Sequence, residues 1–214
     1  MPNIEPEVRK MPAAEAAAID YETAVVAGRS SIVSASNAAK AFHQCLEEDI
    51  RPLEMRVNLF SLALDEENWS DAQTQVDALL AENAESPHGL TATVRLERIR
   101  TEDELDRERA LELRETAKRA ILSKPTYVPA LIQFADLTFE HDLEVDRNAV
   151  SVIDSIRFLA PDLAQGKIFE ARLFAHQGAV DEAVAMLDEM IKWSASTGQE
   201  VQLKEIRKEL AESS

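Results

Sequence analysis

Apolar residues in this chain recur as pairs four positions apart rather than in alternating runs. The pairs are Ala38/Phe42, Ala72/Val76, Leu113/Ala117, Ala149/Ile153 and Ala183/Leu187, and their first members lie 34, 41, 36 and 34 residues apart. A spacing of four puts both members on one face of a helix. A period in this range, without strand-like alternation, predicts an all-α solenoid of stacked helix pairs. Seven positions past each anchor come Cys45, Leu79, Ala120, Ile156 and Met190, all suited to burial on the same face.

Between the anchors the chain reads as helices joined by short turns. Residues 1–11, rich in Pro and Glu, read as a disordered leader, and Pro12 suits a first helical turn. The array is expected over residues 12–198, with a capping helix and tail over 199–214. Unit one spans 19–51, with a first helix over 21–33 that contains Gly28 and Arg29, and a second beginning near Ser36. In unit two, Leu53, Val57, Phe60 and Leu64 share a face, and Ser70 with Gln73 suggests a capping box for a helix burying Ala72, Val76, Leu79 and Leu80. Unit three opens at Ser86-Pro87, with Leu90, Val94 and Ile99 inward. Its second helix is expected to start near Thr101 and run to Ser123, so that the long interval is taken up by extra helical turns. Unit four carries Leu131, Phe134, Ala135 and Leu137, then an acidic, solvated turn over 141–146, and ends at Pro161. Unit five carries Ala171, Phe174, Gly178, Ala183, Leu187 and Met190. A final amphipathic stretch offers Leu203, Ile206 and Leu210 as a cap on the last repeat.

Composition narrows the functional classes. Hydrophobic residues make up 45% of the 214-residue chain but aromatics only 5%, so Ala and Leu carry the packing. A net charge of −17 argues against nonspecific binding to nucleic acid or anionic lipid. The single cysteine, Cys45, cannot form an internal disulfide and falls at a core position. The most apolar stretch, 128–139, is interrupted by Gln133 and Asp136, and the N-terminus lacks the apolar core of a secretory signal. The expectation is a soluble protein, cytoplasmic as given, or periplasmic if it is a segment of a larger exported protein. No catalytic constellation is evident. His43, His88, His141 and His176 lack a partner ligand at helical spacing, so no metal site is expected. No phosphate-binding glycine loop is present and no cofactor is expected.

These residues resemble the tetratricopeptide repeat family. Its pattern sets a small residue and an aromatic in the first helix, Gly at the turn, a small and a bulky residue in the second helix, and Pro at the close. Ala171, Phe174, Gly178, Ala183 and Leu187 satisfy five of those sites, and Ala149, Ile153, Ile156 and Pro161 match the second half of the pattern. Glu170 and Thr93 depart from it at a usually bulky site, and Arg29 at an aromatic one. The resemblance implies a right-handed superhelix of about five irregular repeats whose first helices line a concave groove. Transferred to this chain, the groove sites are Asn58 and Ser61; His88, Thr91, Arg95 and Arg98; Gln133 and Asp136; and Arg172 and His176. This set is polar and relatively basic, which suits the carbonyls and carboxylates of an extended peptide. The competing reading pairs Arg95 and Arg98 with local acids such as Glu97, Glu102 and Glu104. The carboxylate-gripping subset of the family is matched only at Asn58, with Thr23, Ala27, His88 and Ala92 at its other sites. The resemblance thus implies a non-enzymatic scaffold or adaptor binding a protein or extended peptide, one with acidic residues. The alternatives are a repeat segment of a larger envelope or secretion assembly protein, or a self-associating module, a homodimer through terminal helices or the edge of the stack.

Overall fold

A computed structural model describes residues 35–101, 104–194 and 197–212. The expected leader and the expected first helix over 21–33 lie outside the described residues, as do Glu102 and Asp103. Every described element is a helix: α1 (Ala35–Glu47), α2 (Pro52–Asp65), α3 (Trp69–Glu82), α4 (Pro87–Arg100), α5 (Arg107–Ser123), α6 (Val128–Glu140), α7 (Arg147–Leu159), α8 (Ala164–His176), α9 (Val180–Lys192) and α10 (Thr197–Glu212). The chain divides into two compact units at Ala84/Glu85.

In the first unit α2 packs against both α1 and α3. The core between α1 and α2 is built from Ala38, Phe42, Cys45, Met55, Leu59 and Leu62. Pro52 starts α2, where its missing N–H has no intrahelical partner to lose. The cap of α3 is Asn68, whose side-chain oxygen accepts from the Asp71 N–H, and not Ser70, which already lies inside the helix. Glu67, with φ of 55°, turns the chain just before it. Leu80 is half-buried, whereas Ala72, Val76 and Leu79 are buried.

The second unit alternates in the same way. Helices α4/α5, α6/α7 and α8/α9 form antiparallel pairs, α4 also packs on α6, and α6 on α8. Helix α6 therefore has neighbours on nearly all sides. Burial from Ala130 through Thr138 is continuous, apart from half-buried Ile132, which explains why this is the most apolar stretch of the sequence. On α4, Leu90 and Val94 are buried as expected, but Ile99 is 43% exposed and Leu96 is buried in its stead. All ten anchor residues of the sequence pattern are buried, as are Cys45, Leu79, Ala120 and Ile156 seven positions on. Met190 is half-buried.

Helix ends correct two further expectations. Ser86 caps α4 with Pro87 in its first turn, as expected. Helix α5 reaches Ser123 but starts at Arg107, capped by Asp106, which accepts from the Arg109 N–H at 2.8 Å. Thr101 instead closes α4, its hydroxyl donating to the Glu97 carbonyl at 2.7 Å. The long interval is therefore shared between a 17-residue helix and a longer connection. The turn over 141–146 is acidic, but it is pinned rather than loosely solvated. Leu143 is buried, and the nearly buried Arg114 of α5 donates to the Glu144 carbonyl at 2.9 Å while lying over the Phe134 ring. Asp146 then caps α7. Gly178 takes φ of 85° after α8, a left-handed conformation that a β-carbon would strain. Helix α10 buries Leu203, Ile206 and Leu210 with Ala171, Ala183 and Leu187, so the capping role is borne out.

Candidate functional site

The first helices of the second unit place their polar residues on one surface. Gln133, Asp136 and Glu140 of α6 lie three and four residues apart and so share a face. Because α4 packs on α6, Arg98 reaches all three: Nη1 donates to Gln133 Oε1 at 2.7 Å and to Asp136 Oδ2 at 3.1 Å, and Nη2 to Glu140 Oε2 at 2.5 Å. The other oxygen of Asp136 accepts from Gln165 Nε2 of α8 at 3.0 Å. One carboxylate thus joins three successive repeats. Burial pushes the Asp136 carboxyl above the usual range and the like charge of Glu140 adds to this, against the opposing pull of Arg98 and Gln165. Of the acids near Arg98 in sequence, Glu97 pairs with Arg100 and Arg109 instead, and Glu102 lies outside the described residues.

Two hollows flank this network. One, of about 380 Å³, is lined by Arg95, Arg98, Ile99, Leu105, Gln133, Glu140 and His141. The other, of about 520 Å³, lies between α6, α8 and α10 and includes Gln165, Ile168, Arg172, Gln199, Gln202 and Ile206. Arg172 also lines a third hollow of about 350 Å³ with Asp142, His176 and Glu209. Its guanidinium sits 6.0 Å from the Phe139 ring centroid and 3.5 Å from a Glu209 oxygen, and its buried Nε has no hydrogen-bond partner. At the opposite end of this surface His88 meets the Tyr127 ring at 4.4 Å. Burial raises the Tyr127 hydroxyl to about 12, against the pull of Arg95.

The sequence-derived sites fall into three groups. Arg95, Arg98, Gln133, Asp136, Arg172 and His176 come together along α4, α6 and α8, with His88 beside Tyr127 at the start of α4. Thr91 is only 3% exposed, and its hydroxyl makes no hydrogen bond, so it is withdrawn from the surface. Asn58 and Ser61 are half-buried on α2, in the first unit. Glu140, Gln165 and Glu209 were missed. Glu140 could have been found four residues beyond Asp136. Gln165 and Glu209 required the register of α8 and the recognition that α10 borders the same hollows.

No protein-family model matches the sequence, and no curated protein matches it. Solved structures do. A thermophilic TPR protein of Thermus thermophilus is 17% identical with a TM-score of 0.64, over 93% of this chain and 99% of its own. Yeast Tom70 is 16% identical with a TM-score of 0.63, over 92% of this chain and 40% of its own. A tetratricopeptide repeat protein of Parabacteroides merdae is 14% identical with a TM-score of 0.55, over 92% of this chain and 72% of its own. At these identities the likeness concerns architecture, and with the repeat pattern and the all-helical structure it establishes that this chain has the tetratricopeptide-repeat fold.

Proposed function

We propose that this chain is a non-enzymatic protein-binding scaffold that takes an extended segment of a partner along the surface of α4, α6, α8 and α10. One observation carries the reading: Arg172, with an unpartnered Nε and a single long ionic contact, stands between two hollows lined by both polar and apolar side chains. A partner carboxylate can displace Glu209 and gain a charge-assisted hydrogen bond with little rearrangement. Arg98 has a different part. Its donors are committed to Gln133, Asp136 and Glu140, so it shapes the floor, while Arg95 borders the neighbouring hollow and adds positive potential. Backbone amides of an extended segment would meet Gln199 and Gln202 along the same path.

An array of immobilised peptides with and without Asp and Glu tests this reading. Acidic peptides are expected to bind, less tightly as salt rises. The Arg95→Glu/Arg172→Glu variant is expected to lose them with helicity retained, and Arg172→Lys to lose part of the affinity. Undiminished binding by the folded double variant would place the site elsewhere. A second reading, self-association, is favoured by an exposed apolar edge outside this surface.

A further inference from the structure

The three most exposed large apolar side chains among the described residues are Phe158 at 85%, Trp193 at 78% and Leu122 at 73%. Each stands at the carboxyl end of the second helix of its repeat. Leu122 and Phe158 occupy the same repeat position, nine residues after the anchors Leu113 and Ala149. They therefore fall on one edge of the second unit. Beside Phe158 is a notch of about 470 Å³ between the end of α7 and the start of α8, with Pro161, Leu163 and Gly166 among its lining. Gly166 keeps the two helices close: a β-carbon there would come within 3.0 Å of Ile156 Cγ2. Two exposed charges belong to the same patch. Lys167 lines the notch, Asp162 follows Pro161, and the side chain of neither makes a hydrogen bond or ion pair among the described residues. Arg157, by contrast, is already paired with Asp154 and Glu170.

The geometry points to a second copy of this chain as the occupant of this edge, with Phe158 of each copy seated in the other's notch and Lys167 of each opposite Asp162 of the other. This inference deepens the self-association reading above. A two-fold interface uses one patch twice and so must be self-complementary. This patch supplies a protruding ring, a recess, an unpaired cation and an unpaired anion side by side. A partner binding by charge alone would need a strong net sign, whereas this patch sets the acids Asp154, Asp162 and Glu170 against the bases Arg157 and Lys167. The exposed Leu122, at the same repeat position in the preceding helix pair, adds apolar area to this edge beside the Phe158 anchor.

Sedimentation equilibrium of the intact protein at physiological salt, over about 10 μM to 1 mM, tests the assignment. Wild type is expected to form a dimer. Phe158→Asp, at a position too exposed to perturb folding, is expected to raise the dissociation constant at least roughly tenfold. Asp162→Lys and Lys167→Asp are each expected to weaken the dimer by like-charge opposition, and the double reversal to restore it. Circular dichroism melts confirm that each variant is folded. A wild type that stays monomeric throughout overturns self-association altogether. A dimer indifferent to Phe158→Asp leaves self-association standing and removes this edge. Single reversals that weaken and a double that fails to restore overturn the two-fold pairing.

Discussion

Thr101 closes one helix and Asp106 opens the next, so replacing each with alanine should have unequal effects. Asp106→Ala removes an acceptor for the first turn of α5 and is expected to cost about 0.5–2 kcal/mol in urea denaturation. Thr101→Ala loses only a hydroxyl bond back to the preceding turn and should cost less. Equal losses would return the start of the helix to Thr101. Asp136 and Asp146 titrate in opposite senses. The Asp136 carboxyl lies above its unfolded value, so its contribution to stability is fully present below that value and is lost as pH rises through the folded one. Burial pushes Asp146 up, but the Ala149 N–H and Asn148 hold it below the usual range, so its contribution is lost as pH falls through the depressed value. Thermal melts across the carboxylate range should therefore show Asp136→Asn gaining relative to wild type at neutral pH more than at acid pH. Asp146→Ala should do the reverse, losing most at neutral pH. A neutral-pH loss for Asp136→Asn would mean that pairing with Arg98 outweighs its burial.

At the scale of elements, packing positions were legible and boundaries were less so. The anchors from Ala38 to Leu187 read correctly because a fourfold spacing and a near-constant period leave few faces to bury. Caps were harder, since Asn68 and Ser70, or Thr101 and Asp106, offer the same side-chain chemistry within a few residues. Which one serves depends on where the chain leaves its neighbour. The polar cluster around Arg98 shows the same division. Arg98, Gln133 and Asp136 are placed on one surface through the family resemblance, but their mutual saturation depends on the separation of α4 and α6. Ala183 tests the packing directly. It is fully buried among α8, α9 and α10, so Ala183→Leu should overpack that junction by about 1–3 kcal/mol. Leu203→Ala should cost about 2–5 kcal/mol if α10 is an integral layer of the array. An unchanged melting curve for the latter would reduce α10 to a loosely attached tail.

For the whole molecule, charge is the dominant long-range term. Many cations are already engaged, as in Arg119 with Glu85, Arg157 with Glu170 and Arg207 with Asp188. The excess acids are consequently left to repel one another across the surface. Raising ionic strength from low to physiological values should increase the melting temperature, because screening relieves this repulsion more than it weakens exposed pairs worth little individually. A melting temperature that falls with salt would show that the paired charges dominate instead.

The link from Arg98 through Asp136 to Gln165 also limits how freely the repeats can be interchanged. An array held only by apolar layers tolerates excision or duplication of a module, since like faces meet like faces. Here, removing α6 and α7 would strand a guanidinium on one side of the join and an amide on the other. Substituting a generic repeat without an acid at this register would do the same. Modules from this protein should therefore be transplanted with the pairs α4/α5, α6/α7 and α8/α9 kept together, so that the smallest portable piece is a triplet rather than a single repeat.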